Sequence, residues 1–202
     1  MSGRGDGRGD GKVGGGGVEL LVVGASWGGL VALQRLFRSF KRPLPYAVAL
    51  VQHRGRDSGD ALVEALASAC VMPVVEVEDK APLAAGQIYL APADYHVLVG
   101  VGEFALSTDD PVSFSRPSID VLFESAADAY GARCAGLVLT GANQDGVRGL
   151  GRIKRFGGPT LAQDPGEAES PILPGAAIAS GVVDRVLALD DLAVALYGLG
   201  RA

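Results

Sequence analysis

Three short stretches of this 202-residue sequence carry the kinds of side chain that acyl transfer requires. The first is Gly24-Ala25-Ser26-Trp27-Gly28, a literal match to the G-x-S-x-G pattern that presents a serine on a tight strand-to-helix turn. The second is His53, directly after the apolar run "YAVALVQ". The third is Asp145, in "LTGANQDG". Together they supply a nucleophile, a general base, and an acid that fixes the base's tautomer and stabilises its cation. Each also has an ordinary reading. Ser26 is small enough for any sharp turn, and Asp145 before Gly146 suits a turn or a helix cap. Taken alone, Asp145 reads as a turn former; taken with Ser26 and His53, it reads as the acid.

Rival uses of the glycine-rich turn fail on residue type or order. The stretch from Gly24 to Gly29 is not G-x-G-x-x-G, and Trp27 would crowd a pyrophosphate. No Lys-Ser or Lys-Thr pair follows, which rules out a P-loop. An α/β-hydrolase places several strands before its serine and its histidine last. Here one strand precedes Ser26, and no histidine follows His96. His96 itself opens an expected hairpin strand and reads as a surface or structural histidine.

The elements that must position these residues are legible as apolar runs. "VELLVV" (18–23), "YAVALVQ" (46–52) and "AGLVLT" (135–140) have the continuous apolar character of strands covered on both faces. Ser26, His53 and Asp145 follow their carboxyl ends, where ligands bind in an open parallel sheet. Helices are expected over 30–40, 60–70 (capped by Ser58 or Asp60), 116–130 (with Pro117 in the first turn) and 146–157. A further strand is expected over 73–78, and the runs 159–164, 174–181 and 182–196 complete the alternation. The stretch 86–108 reads as short strands broken by turns, with Gly100 and Gly102 marking a hairpin. The expected fold is α/β: a doubly wound, mainly parallel sheet flanked by helices, with a small antiparallel insertion near 86–108.

Composition bounds the rest. At 48% hydrophobic and 20% charged residues, the 202-residue chain suits one well-buried domain, placed over positions 18–202. Residues 1–17, "MSGRGDGRGDGKVGGGG", are almost free of apolar side chains to bury and read as a flexible tail. A net charge of -5 gives no footprint for nucleic acid. There is no secretory signal and no apolar run long enough for membrane insertion, so a cytoplasmic location is expected. Cys70 and Cys134 lie in apolar contexts without metal-ligand spacing and read as buried free thiols, and no metal or cofactor is implied. The oligomeric state is not encoded in any pattern.

The ordered set "VVGASWGGLVAL", "VQH", "GQIYLAPADYHVLV", "RPSIDVLFESAA", "LTGANQDG" and "LAQDP" resembles the catalytic domain of CheB, the chemotaxis protein-glutamate methylesterase. The likeness runs from about Val18 to about Leu196. It implies hydrolysis of glutamyl methyl esters on the cytoplasmic helices of methylated chemoreceptors, with release of methanol, and in some members deamidation of receptor glutamines. By motif position the family's serine, histidine and aspartate fall on Ser26, His53 and Asp145. Arg116 resembles an arginine with a substrate-side role, while its plain reading is a solvated cation near a helix start.

Two departures bear on the oxyanion site. Trp27 stands where the family commonly has threonine, a candidate donor, and Ala142 where it often has methionine; the backbone N–H groups at 27 and 142 remain. The family's N-terminal receiver domain also has no counterpart here, so phosphorylation control within the chain is not expected. Two alternatives stay open beside the methylesterase. One is a binding or regulatory module on the same fold, with catalysis blocked by Trp27. The other is an esterase or amidase for another substrate.

Overall fold

The computed structural model describes residues 17–55 and 61–200. The expected tail therefore lies almost wholly outside the described residues, as do the cap candidates Ser58 and Asp60.

β1 (Leu20–Ala25) is buried along its whole length. Its side chains alternate between two cores, as period-two geometry requires: Leu21, Val23 and Ala25 enter one, Leu20 and Val22 the other. Full burial of each of its leucines and valines is worth about 1.5–3 kcal/mol, which holds the strand at the centre of the molecule. β2 (Ala47–Gln52) and β7 (Cys134–Val138) flank it in parallel, with Leu20 opposite both Ala47 and Cys134.

The full sheet adds β3 (Val74–Glu76), β4 (Ile88–Leu90), β8 (Thr160–Gln163) and β9 (Arg185–Leu187), in the order β3-β4-β2-β1-β7-β8-β9, every pair parallel. The chain fills one side of β1 with β2, β3 and β4, where β4 inserts between β2 and the edge strand β3, then returns to build outward on the other side with β7, β8 and β9. The ends of β1, β2 and β7 therefore border the point where strand order reverses, the usual ligand crevice of such sheets.

One face is covered by α1 (Gly29–Ser39), α2 (Ala61–Ala67) and α6 (Leu189–Leu199). Leu33, Leu36 and Phe37 of α1 and Leu192 and Leu196 of α6 share that core. The opposite face is covered by α3 (Ile119–Tyr130), α4 (Val147–Arg155) and α5 (Ile172–Ala179), with Phe123, Ile153 and Leu173 in its core. An antiparallel pair, β5 (His96–Val99) and β6 (Phe104–Ser107), adds Val97, Val99 and Phe104 to the same core.

The fold class expected from sequence is the one observed, with three local corrections. The antiparallel insertion covers 96–107, not 86–108. Ile88, Tyr89 and Leu90 are all buried and form β4, paired in parallel with both β2 and β3. The helix expected from residue 116 begins at Ile119. Ser118 adopts extended backbone, and its hydroxyl accepts the Val121 N–H, which makes it the cap and leaves Pro117 outside, after a cis Arg116–Pro117 bond. Both cysteines are free, but only Cys134 is buried; Cys70 is half-buried.

Candidate active site

The serine turn is tied to its neighbours by main-chain bonds. The Ser26 N–H donates to the Thr140 carbonyl at 3.0 Å, beyond the end of β7. The Ser26 carbonyl accepts from Gly29 N–H (2.9 Å) and from Gln52 Nε2 (2.8 Å). Gly28 turns the chain into α1 with φ of 78°, a left-handed conformation that glycine adopts without a Cβ penalty. Thr140 Oγ1 donates to the Trp27 carbonyl at 2.8 Å, bracing the turn from β7. The His53 N–H donates to the Ala25 carbonyl at 3.0 Å, which pins the histidine beside the serine.

The side chains then converge. His53 Nδ1 lies 3.2 Å from Ser26 Oγ, and His53 Nε2 lies 2.8 Å from Asp145 Oδ2. A carboxylate can only accept, so Nε2 carries the ring proton and donates it to Asp145. Nδ1 is left as the acceptor facing the serine hydroxyl. The imidazole is thus used with Nδ1 toward the nucleophile and Nε2 toward the acid, the reverse of the chymotrypsin assignment of ring nitrogens. The order of serine, imidazole and carboxylate is the same.

Asp145 is fully enclosed and saturated with donors. Besides His53, its Oδ2 accepts the Ile119 N–H at 2.7 Å, and its Oδ1 accepts from Ser118 Oγ (2.8 Å) and the Asp120 N–H (3.0 Å). Two of these amides belong to the opening turn of α3, whose dipole favours a negative charge there. Burial alone would raise this carboxyl's pKa. Hydrogen bonds from His53, from the Asp120 and Ile119 amides and from Ser118 outweigh it, so the pKa falls below the ordinary carboxylate value. Asp145 is therefore an anion at neutral pH. With a lone pair on Nδ1, an aligned hydroxyl and a fixed anion behind the ring, the arrangement is chemically equipped for nucleophilic acyl transfer.

The other sequence candidates surround this line. Trp27 is 66% exposed, its ring in solvent on the rim of a pocket of about 350 Å³ that includes Ser26, Gly28, Val31, His53 and Ala142. Ala142 is exposed on the facing loop. The N–H groups of Trp27 and Ala142 make no hydrogen bond to another described residue. A second cleft, of about 470 Å³, opens on the other side of His53 and is walled by Asp94, Phe114 and Arg116.

Arg116 is not a solvated cation. Its guanidinium binds Asp94 Oδ1 through Nε (3.0 Å) and Nη2 (2.7 Å), and the carbonyls of Thr108 (2.8 Å) and Asp109 (3.0 Å) through Nη1. It holds the cleft wall together. His96 lies apart from the reacting atoms and is buried. Its Nδ1 accepts the Ser118 N–H at 3.2 Å and its Nε2 donates to the Asp110 carbonyl at 3.1 Å.

Two residues of the site escaped the sequence reading. Ser118 had a usable signal, a serine before the apolar run of a helix, which is the mark of an N-cap. Asn143 had none beyond lying two positions before Asp145. Its Oδ1 accepts the Asp145 N–H at 3.2 Å.

Comparison with known proteins identifies the family and the fold. A crystal structure of the Thermotoga maritima CheB methylesterase catalytic domain superposes with a TM-score of 0.86 at 28% identity, covering 90% of this chain and 98% of that one. A protein-glutamate methylesterase/protein-glutamine glutaminase of Anaeromyxobacter dehalogenans is 43% identical over 186 residues, and the chain spans 54% of its length. A Leptospira interrogans relative named for the same pair of activities is 39% identical over 176 residues, 87% of this chain and 91% of that one. The family model described as CheB methylesterase matches residues 21–196. On this evidence the chain belongs to the CheB methylesterase family.

Proposed function

We propose that this protein hydrolyses glutamyl methyl esters on the cytoplasmic helices of chemoreceptors, with Ser26 as nucleophile, His53 as general base and acid, and Asp145 as the anion that orients and stabilises the imidazolium. The observation that carries this reading is the single imidazole bridging Ser26 Oγ and the buried Asp145 carboxylate. Ser26 Oγ attacks the ester carbonyl as its proton passes to His53 Nδ1. The tetrahedral adduct collapses, and methanol leaves with that proton. A water molecule then gives a proton to the same nitrogen and attacks the acyl-serine; on collapse the C–Oγ bond breaks, Ser26 Oγ takes the Nδ1 proton, and the carboxyl product is freed. The same steps applied to a glutamine side chain release ammonia, the second activity in the relatives' names.

The wall built by Arg116 and Asp94 lines a cleft at His53, and the exposed ring of Trp27 edges the pocket at Ser26; we assign both to contact with the receptor surface around the ester. The exposure of the Trp27 ring speaks against a pocket plugged by indole, and hence against a purely binding module. No described helix is long and apolar enough to cross a membrane, in keeping with an enzyme that meets the receptor's cytoplasmic part. Methanol release from methylated receptor membranes tests the assignment. Release must occur with the native protein and vanish with Ser26→Ala; methanol-free incubation with the native protein would refute it.

A further inference from the structure

Asn143 stands in the loop after β7, half-buried, with its side-chain amide held at one end. Its Oδ1 accepts the Asp145 N–H at 3.2 Å, so the carbonyl end is turned back on its own loop. The NH₂ end faces the imidazole, with Nδ2 3.5 Å from His53 Nδ1. Two groups therefore converge on one ring nitrogen: Ser26 Oγ at 3.2 Å and Asn143 Nδ2 at 3.5 Å. That nitrogen has one lone pair, because the ring proton is on Nε2 facing Asp145. The serine hydroxyl makes the shorter contact. At 3.5 Å the amide makes at best a weak hydrogen bond, so its N–H dipole is fixed beside the ring nitrogen that faces the nucleophile, with little to donate to.

Proton transfer changes what this N–H faces. When Ser26 Oγ bonds the ester carbon, its proton moves to Nδ1, and the carbonyl π pair moves onto the carbonyl oxygen. Nδ1 then bears a hydrogen and has no lone pair left. The new acceptor is the oxyanion, attached to the carbon that Oγ has just joined. We infer that Asn143 Nδ2–H donates to this oxyanion, together with the backbone N–H groups of Trp27 and Ala142. The donor strengthens its interaction only as negative charge develops, which is the condition for lowering the barrier rather than tightening substrate binding. On collapse the pair returns to the carbonyl, the C–O bond to methoxide breaks, and methoxide takes the Nδ1 proton. A tryptophan at position 27 then removes no necessary donor, because the side-chain donor comes from the facing loop. This inference rests on Ser26 being the nucleophile.

The test separates donation from loop tethering. Asn143→Asp keeps an oxygen to accept the Asp145 N–H but replaces the NH₂ donor with a second oxygen; Asn143→Ala removes both functions. Turnover of p-nitrophenyl acetate and of methylated receptor membranes is measured at the pH plateau of each variant, beside thermal melting. The expected result is a kcat loss of about 10²–10³-fold in both variants, with KM within a few-fold and unchanged melting for Asn143→Asp. An Asn143→Asp protein with native kcat would overturn the inference, leaving Asn143 as a tether. Native kcat in Asn143→Ala would overturn it equally. A native protein inert toward both esters would instead overturn the methylesterase reading, and this assignment with it.

Discussion

Asp120 and Asp145 cap each other's helices. Asp145 accepts the Ile119 and Asp120 amides that open α3, while Asp120 Oδ1 accepts the Gly146 (2.9 Å) and Gly149 (2.8 Å) amides that open α4. Each carboxylate thus sits at the positive end of the other's helix dipole. The two differ in charge cost. Burial raises the Asp120 pKa; the neighbouring Asp145 charge adds to the rise, and the Gly149 and Gly146 amides and Arg148 only partly offset it. The Asp145 pKa is lowered.

From these opposite shifts follows an acid-stability prediction. Asp145 contributes stability above the unfolded carboxylate pKa of about 3.9, and that contribution is lost as pH falls through its lower folded value. Asp120, with a raised folded pKa, contributes stability below about 3.9 that is lost as pH rises through its folded value. Urea denaturation between about pH 2.5 and 6 is expected to show a shallower acid decline for Asp145→Asn than for the native protein, and a steeper one for Asp120→Asn.

The same substitution has a catalytic cost. Every group around the Asp145 carboxylate is a donor, so an amide at this position would face donors with its own NH₂. It also holds the wrong imidazole tautomer. Asp145→Asn is expected to lower kcat by up to about 10⁴-fold. A turn-forming aspartate would tolerate asparagine, so unchanged turnover would return Asp145 to that role.

The two histidines are expected to separate cleanly between activity and stability. His53→Ala abolishes ester turnover with little effect on folding, because the ring is partly exposed and the enclosed Asp145 carboxylate keeps its Ser118, Ile119 and Asp120 donors. His96→Ala strands the buried Ser118 N–H and loosens the Asp110 carbonyl, costing about 1–3 kcal/mol by denaturant titration, with a smaller loss of turnover. Equal activity losses would make His96 the better base.

Gly24 is a packing requirement that reaches the site. A Cβ there would lie 2.3 Å from Ile119 Cγ2, on a fully buried β-branched side chain. Ile119 also donates its N–H to Asp145. Gly24→Ala is therefore expected to destabilise by about 1–3 kcal/mol and to lower kcat together with stability.

Trp27→Ala is expected to act on the substrate complex. The ring lies on the pocket rim, so its removal raises KM for methylated receptor while leaving kcat on p-nitrophenyl acetate within a few-fold.

Much of this was legible in the sequence because a parallel sheet converts a one-dimensional pattern into a place. Apolar runs mark β1, β2 and β7, and the polar residues after them must share one edge. That argument brings Ser26, His53 and Asp145 together without any knowledge of distances. It fails where two elements of similar look have different partners. Ile88–Leu90 and His96–Val99 are both short and apolar, and only pairing assigns the first to the main sheet. It fails too where a side chain's role depends on rotamer. Nothing in "GANQDG" says that Asn143 turns its amide nitrogen toward His53, or that His96 holds the Ser118 backbone from inside the core.

Asp145 lies 92 residues after His53, and its carboxylate is organised by the start of a helix at Ile119. A nascent chain emerging amino-terminus first presents Ser26 and His53 long before the acid, its helix amides and Asn143 have been synthesised. The serine hydroxyl is thus an ordinary alcohol for most of translation. On the triad proposed above, its activation requires the second half of the sheet to have docked against the first. Under the proposed function, ester turnover then reports the last stage of this fold's assembly.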